Sequence, residues 1–263
     1  MSVISLSPAD LTIAASLVIV IALLQWRMRL GNTKSLLIAA TRTVLQLLLL
    51  GMVLKVVFAV SNLYWIALLS AIMLVAAGRE VMVRQKKRFV GSWGFLLGTS
   101  SMFVSAFSIT LLALLVIVQP EPWYLPQYSI PLLGMLLGNT LNGITLGLDS
   151  LTRNAWEQNS IIDGRLALGE TWSNAISDIR RDSIRVGMIP IINAMSVAGL
   201  VSLPGMMTGQ ILAGTPPLEA VKYQILIMFL IAAGTGMGTI TAILIGCRRL
   251  FDDRERLRLD RLR

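Results

Sequence analysis

Arg42 and Gln46, four residues apart, and Asn139 and Asn142, three apart, each place two polar groups on one face of an otherwise apolar helical run. Asn193 follows Pro190, a residue that kinks a helix. Ionisable and amide side chains are costly in hydrocarbon, and where they occur they often line a path for a polar cargo. Arg42, Gln46, Asn139, Asn142 and Asn193 are therefore the candidate pathway residues. The bland alternative is that Arg42 reaches a nearby polar surface while the amides bond between helices.

A second pattern lies between the apolar runs. Ile162, Leu166, Gly169, Trp172, Ile176, Ile179 and Ser183 are spaced three or four apart, with Asp163, Arg165, Glu170, Asn174, Asp178, Arg180 and Arg181 off that line. This is amphipathic helical periodicity. A helix of this kind docks into a groove on a partner, lies in a membrane interface, or packs on its own bundle.

Other chemistries find no residues to carry them. The chain has no histidine and one cysteine, Cys247, so disulfides and a zinc-type ligand set are excluded. No glycine is followed by lysine, so the phosphate-cradling G-x-x-x-x-G-K-[ST] loop is absent, and any ATP must be hydrolysed by another chain. The thirteen methionines, Met206-Met207 among them, read as adaptable packing rather than a soft-metal route. Gly134 with Gly138 and Gly143 with Gly147 repeat the four-residue spacing that lets helices approach closely. Gly234, Gly236 and Gly238 are expected to loosen the last helix.

The elements that must position these residues are membrane spans. The 263 residues are 55% hydrophobic and only 14% charged, against about 25% charged in a soluble domain. Apolar runs fall at 10–26, 36–60, 63–78, 94–118, 129–148, 187–204 and 223–246, and about 20 residues cross a hydrocarbon core. The first run is a span and not a signal peptide, since Asp10 precedes it and Arg27 and Arg29 follow it.

Charge gives an independent check. The connections at 27–42, 79–88 and 149–186 and the tail hold four, five, five and seven basic residues, leaving only Lys55 and Lys222 for the others. A net charge of +9 partitioned between apolar runs points to orientation in a membrane, not to nucleic acid. The expectation is an all-α protein of seven membrane helices, with the N-terminus outside and the C-terminus cytoplasmic. It forms a single transmembrane domain over 1–263, with a cytoplasmic amphipathic segment at 150–186. Proline and aromatic residues at 119–128 and prolines at 202–217 suit outer connections. No internal repeat supports an inverted-repeat carrier.

The stretch at 190–224, and above all S-L-P-G-M-M-T-G-Q-I-L-A-G at 202–214, resembles the permease subunit of Fet-type ABC exporters. That bacterial family is linked to iron export and is related to plant aluminium-tolerance permeases. G-N-T-L-N at 138–142 and L-A-L-G at 166–169 resemble the same family in the same order. The resemblance implies a homodimer in the bacterial inner membrane, in contact with lipid and served by two copies of a separate ATPase that binds ATP and Mg. This chain itself would be no enzyme. It implies that Ile162, Asp163, Leu166, Gly169, Trp172, Ile176 and Ile179 form the segment coupled to the ATPase, and that iron or an iron-containing small molecule moves outward. The run Asp163-Gly164-Arg165-Leu166-Ala167-Leu168-Gly169 is similar to an importer coupling loop but departs from it at the acidic and alanine positions. Another metal, an anion or a phosphorylated sugar is the alternative cargo, and an ATP-independent carrier the alternative class. A retinal protein is disfavoured because 223–246 holds no lysine.

Overall fold

Long apolar segments must satisfy every backbone group internally, and helices do so. The computed structural model, which describes residues 7–60 and 62–263, is accordingly built of helices, with only isolated bridges and no strand among the described residues. The chain forms two units, 1–62 with 212–214, and 63–211 with 215–263.

The first unit is a hairpin of α1 (Pro8–Arg27) and α2 (Thr33–Val60). Ser7 caps α1: its hydroxyl accepts from the Asp10 amide at 3.3 Å, while the Asp10 carboxylate takes the Ser7 amide at 2.8 Å. The turn between the helices uses left-handed backbone at Arg29 and Gly31. Apolar side chains such as Leu17, Leu45 and Leu48 are exposed along both helices, as lipid contact demands.

The second unit contains α3 (Leu63–Arg84), α4 (Trp93–Val118), α5 (Pro126–Glu157), α6 (Asn159–Ala167), α7 (Trp172–Ala175), α8 (Ser177–Val197), α9 (Gly205–Leu212) and α10 (Pro217–Arg249). Prolines at the first turn start α5 and α10, where a missing amide hydrogen is no loss. Within α4 the segments Phe103–Phe107 and Ala113–Val118 are wound as wider π turns.

Six helices, α1 to α5 and α10, are long and apolar enough to cross a bilayer. The expected spans at 63–78 and 129–148 lie inside longer helices, α3 and α5, that continue into their polar ends. The expected span at 187–204 differs more. Its helix begins at Ser177, carries Asp178, Arg180, Arg181, Asp182 and Arg185 in its first nine residues, and ends at Val197. Ala198 is extended, Gly199 adopts φ +81, and Pro204 precedes the short α9. The apolar part of α8, 186–197, is therefore only about 18 Å long.

Glycine contacts fix the helix directions. Gly234 meets Leu136, Gly238 meets Thr140 and Ile144, and Gly246 meets Leu148 and Leu151, so α5 and α10 run parallel, side by side. Gly143 meets Gly187 and Gly147 meets Ser183, so α8 runs antiparallel to α5. Gly187 also meets Thr239, which brings α8 against α10, and because α10 runs parallel to α5, α8 is antiparallel to it as well. α4 is antiparallel to α10 through Leu97–Gly246, Ser105–Gly238 and Ile109–Gly234, and α3 to α4 through Gly78–Thr99 and Met82–Gly94. The glycines of α10 thus accept neighbours; α10 is one unbroken helix and not a loosened one.

The core of this unit joins Leu136, Ile144, Leu148 and Leu151 of α5 to Ile243 of α10, with Ile162 and Ile176 beneath them. Hydroxyls enter it too. Thr140, Ser183, Thr235 and Thr239 are buried, and their oxygens have no hydrogen-bond partner among the described residues.

Candidate functional site

At the basic end of the second unit, three connections that are far apart in sequence meet. The C-terminal tail pairs with the α3–α4 connection: the Arg88 amide donates to the Arg263 carbonyl at 3.0 Å, Arg263 returns the bond at 2.8 Å, and the Val90 amide donates to Arg261 at 2.9 Å. The Lys86 amide donates to the Asp149 carboxylate of α5 at 3.0 Å, and the Lys87 ammonium sits 3.9 Å over the Trp156 ring. The tail then turns to the segment after α6. Its Glu255 carboxylate accepts from the Trp172 amide at 3.0 Å, and Phe251 lies 5.7 Å from the Trp172 ring.

This arrangement corrects the expectation of one amphipathic helix over 162–183. The segment is three helices, broken by Gly169 at φ +91 and again at Ile176. Its apolar line faces inward. Ile162, Ile176 and Ile179 are buried, and Leu166 and Trp172 pack partly buried against the same core. An Arg165–Asp178 ion pair of 2.9 Å ties α6 back to α8. Only Asp163 and Gly169 of the seven candidate coupling residues are exposed. The groups that do project are ones the periodicity did not single out: Leu168, 86% exposed, and Ile161, 56% exposed. Beside them a cleft of about 630 Å³ is lined by Asp163, Glu170, Arg254, Glu255 and Arg256. Nothing in the local sequence signals that the tail would form its other wall.

The candidate pathway residues divide between the units. Arg42 and Gln46 are exposed on α2. Asn139, Asn142 and Asn193 are all exposed in the second unit, and the Gly143–Gly187 contact sets their relative depth. Counting from it, Asn139 and Asn193 lie within about 3 Å of one level. On α5 the exposed stripe is Gly138, Asn139, Asn142, Leu146 and Arg153, with Asp149 partly exposed. On α8 it is Asp182, Arg185, Ile189, Asn193 and Ser196, opposite the buried line Ile179, Ser183, Gly187 and Ile191. Asn139 donates to the Met135 carbonyl at 2.8 Å. Asn142 and Asn193 make no side-chain hydrogen bond among the described residues.

Several long apolar helices bearing an outward amide stripe, with basic connections gathered at one end, define a polytopic membrane protein. The chain belongs to the family described as Uncharacterised protein family (UPF0014), whose pattern it matches over residues 8–251. It is 44% identical over 241 residues to a UPF0014 membrane protein of Synechocystis, covering 90% of each chain. It is 32% identical over 257 residues to the Escherichia coli protein named Probable iron export permease protein FetB, covering 97% of this chain and 96% of that one. It is 31% identical over 231 residues to the Arabidopsis thaliana Protein ALUMINUM SENSITIVE 3, covering 87% of this chain and 82% of that one. The resemblance read from 190–224 to the Fet-type iron-export family and its plant relatives is thereby borne out. No solved structure matches the chain.

Proposed function

We propose that this chain is the membrane-spanning permease subunit of an ATP-driven exporter, moving iron or an iron-containing small molecule out across a bacterial inner membrane. The observation that carries the reading is the 32% identity, over nearly the whole of both chains, to a protein named as an iron export permease. On this reading ATP and Mg belong to a separate ATPase, since the sequence holds no G-K phosphate loop, and two copies of each subunit form the working assembly.

The helix directions support seven crossings. α5 and α10 run parallel and side by side, so the chain has to recross between their ends, and α8 is the helix that runs the other way. Seven crossings with the basic connections inside put the N-terminus outside and the C-terminus in the cytoplasm. The 263 residues then act as one permease domain. The ATPase contacts the tip of the 150–186 segment through Leu168, Ile161, Asp163 and Gly169. Ile162, Leu166, Trp172, Ile176 and Ile179 act from within, seating that tip on the bundle so that its displacement moves α8. Without histidine, and with its one cysteine buried, the chain suits a cargo that presents oxygens, such as a chelated or hydrated ion, better than a bare ferrous ion.

The test is purification from native membranes followed by ATP-dependent iron uptake into inside-out vesicles. A retained nucleotide-binding subunit and iron uptake that needs ATP are expected. Retention with uptake of a different ion or anion instead would change the cargo. Purification with no ATPase, and transport without ATP, would make the chain a carrier of another class.

A further inference from the structure

We infer that two copies of this chain pair through the exposed face of α5, with Gly138 at the crossing point and Asn139 and Asn142 of both copies facing one another in the middle of the membrane. The inference deepens the exporter reading and rests on it, because it identifies the second copy as what covers the candidate transport face.

Gly138 supplies the first argument. Of the four glycines in α5, three have close neighbours: a Cβ on Gly134 would press on the Met73 methyl at 3.3 Å, Gly143 meets Gly187, Thr235 and Thr239, and Gly147 meets Ile243 and Ser183. Among the described residues, Gly138 has nothing within 4 Å of where a Cβ would stand. Glycine weakens a helix interior, and at Gly138 the chain's own packing gives no return for it. A glycine on an exposed membrane-helix face lets a second helix backbone approach closely.

The amides supply the second. Asn139 uses one N–H inside its own helix and leaves its carbonyl oxygen free, and Asn142 has no partner among the described residues. Lipid offers such groups nothing. An amide carries both donors and acceptors, so the same patch on another copy, related by a two-fold axis along the membrane normal, satisfies it.

Charge favours the same occupant. No ionisable residue of α5 lies at the level of Gly138 to Asn142, so two copies meet there without repulsion. Seven residues on, the stripe carries Asp149, then Arg153, which has no ion pair among the described residues. Two parallel α5 helices bring each Arg153 to within one turn, about 6 Å along the axis, of the level of the other copy's Asp149. The result is a ring of four amides, with Asn193 of each copy near the level of Asn139. Such a ring can hold, by hydrogen bonds, a cargo surfaced with oxygens or N–H groups.

Cys247 is fully buried and is the only native thiol, so one introduced cysteine reports its own surroundings. Gly138→Cys and Asn142→Cys, oxidised mildly in native membranes, are expected to give a disulfide-linked dimer in most of the chains, reversed by dithiothreitol. Leu112→Cys, half exposed on α4, is expected to stay monomeric. Failure of both α5 positions to cross-link, or equal cross-linking at Leu112→Cys, overturns the inference. Gly138→Leu adds a second readout. No described residue lies within 4 Å of a Cβ at that site, so the variant should still fold and elute as a single species, while light scattering after size exclusion should show at least a tenfold loss of dimer. A Gly138→Leu protein that remains as dimeric as wild type also overturns it. Retention of the ATPase by wild type is scored in parallel. If it is retained and α5 does not cross-link, the seam is elsewhere and the exporter reading stands. If it is not retained, that reading falls on its own evidence.

Discussion

Gly143 of α5 and Gly187 of α8 lie in backbone contact: a Cβ built on Gly187 would stand 2.7 Å from the Gly143 carbonyl oxygen, and one on Gly143 would stand 3.0 Å from that of Gly187. Real Cβ atoms do not come that near a backbone oxygen, and backbone cannot step aside as a side chain can. Gly187→Ala is therefore expected to destabilise the second unit by about 1–3 kcal/mol, the usual effect of overpacking. Gly51→Ala on α2, where nothing lies within 4 Å, should change stability by less than about 1 kcal/mol. Melting of the detergent-solubilised protein, followed by fluorescence size exclusion, compares the two. Equal melting temperatures would mean that the α5–α8 contact is looser than this geometry.

The inward turn of the 162–179 line separates two effects that the sequence left joined. Ile176 is fully buried, so Ile176→Asp places an unpaired carboxylate in the core and should cost roughly 4 kcal/mol or more, losing folded protein. Leu168 is 86% exposed, and Leu168→Asp should alter stability by no more than about 0.5 kcal/mol. If the tip is the ATPase contact, Leu168→Asp should still reduce the retained ATPase at least tenfold in a pull-down. A Leu168→Asp protein that melts normally and keeps its ATPase would remove the tip from the interface.

What could be read in the sequence follows from what each signal measures. Length and apolarity located α1 to α5 and α10, because a bilayer asks for little else. Alternating basic connections grouped 79–88, 149–186 and the tail, and the structure brings those three to one end of the second unit. Helix ends were less legible: α5 continues to Glu157 because its polar end packs on the α3–α4 connection through Asp149 and Trp156, a tertiary cause. The 162–183 periodicity was real, but a periodic apolar line shows only that something covers it. It could not show that Gly169 breaks the helix or that the cover is the chain's own core. Gly138 and Gly143 sit in identical four-residue spacings, and only the neighbours of Gly143, from 183–187 and 235–239, distinguish the packed glycine from the open one. Leu168 and the tail's Glu255 carried no local signal at all.

The Asp252 carboxylate in the tail should confer a pH dependence. It accepts from the Arg256 amide at 2.9 Å, from the Arg256 guanidinium at 3.0 Å and from the Arg254 amide at 3.0 Å. The Arg256 amide bond is the main cause holding its pKa down to about 2, against about 3.9 for a free carboxylate. Below pH 4 the released tail therefore binds a proton that the folded tail refuses. The contribution to tail stability is full above pH 4 and is lost as pH falls toward 2. Hydrogen exchange across 250–263, taken relative to the intrinsic amide rate at each pH, should rise over that interval in wild type. Asp252→Asn should exchange faster at neutral pH and show a smaller step, the remainder coming from Asp260, whose carboxylate the Arg258 guanidinium also holds below its ordinary pKa. A flat wild-type profile between pH 4 and 2 would mean that Asp252 does not hold the tail.

Trp172 and Phe251 join the segment after α6 to the tail. Their rings are 5.7 Å apart at 42°, Phe251 is 2% exposed, and the Arg248 guanidinium lies 5.4 Å over the Trp172 ring. Phe251→Ala should destabilise by about 3–5 kcal/mol through the cavity it leaves. Trp172→Ala should act less through burial, since that ring is only partly covered. If the ring contact itself matters, the double variant should fall short of the sum of the singles by about 0.5–1.5 kcal/mol, the value of an aromatic pair beyond area. Strict additivity would mean that each ring packs on the core independently. The Glu255 carboxylate on the Trp172 amide, a bond at an exposed site that contributes about 1 kcal/mol, would then do more than the ring pair to hold the tail to the segment.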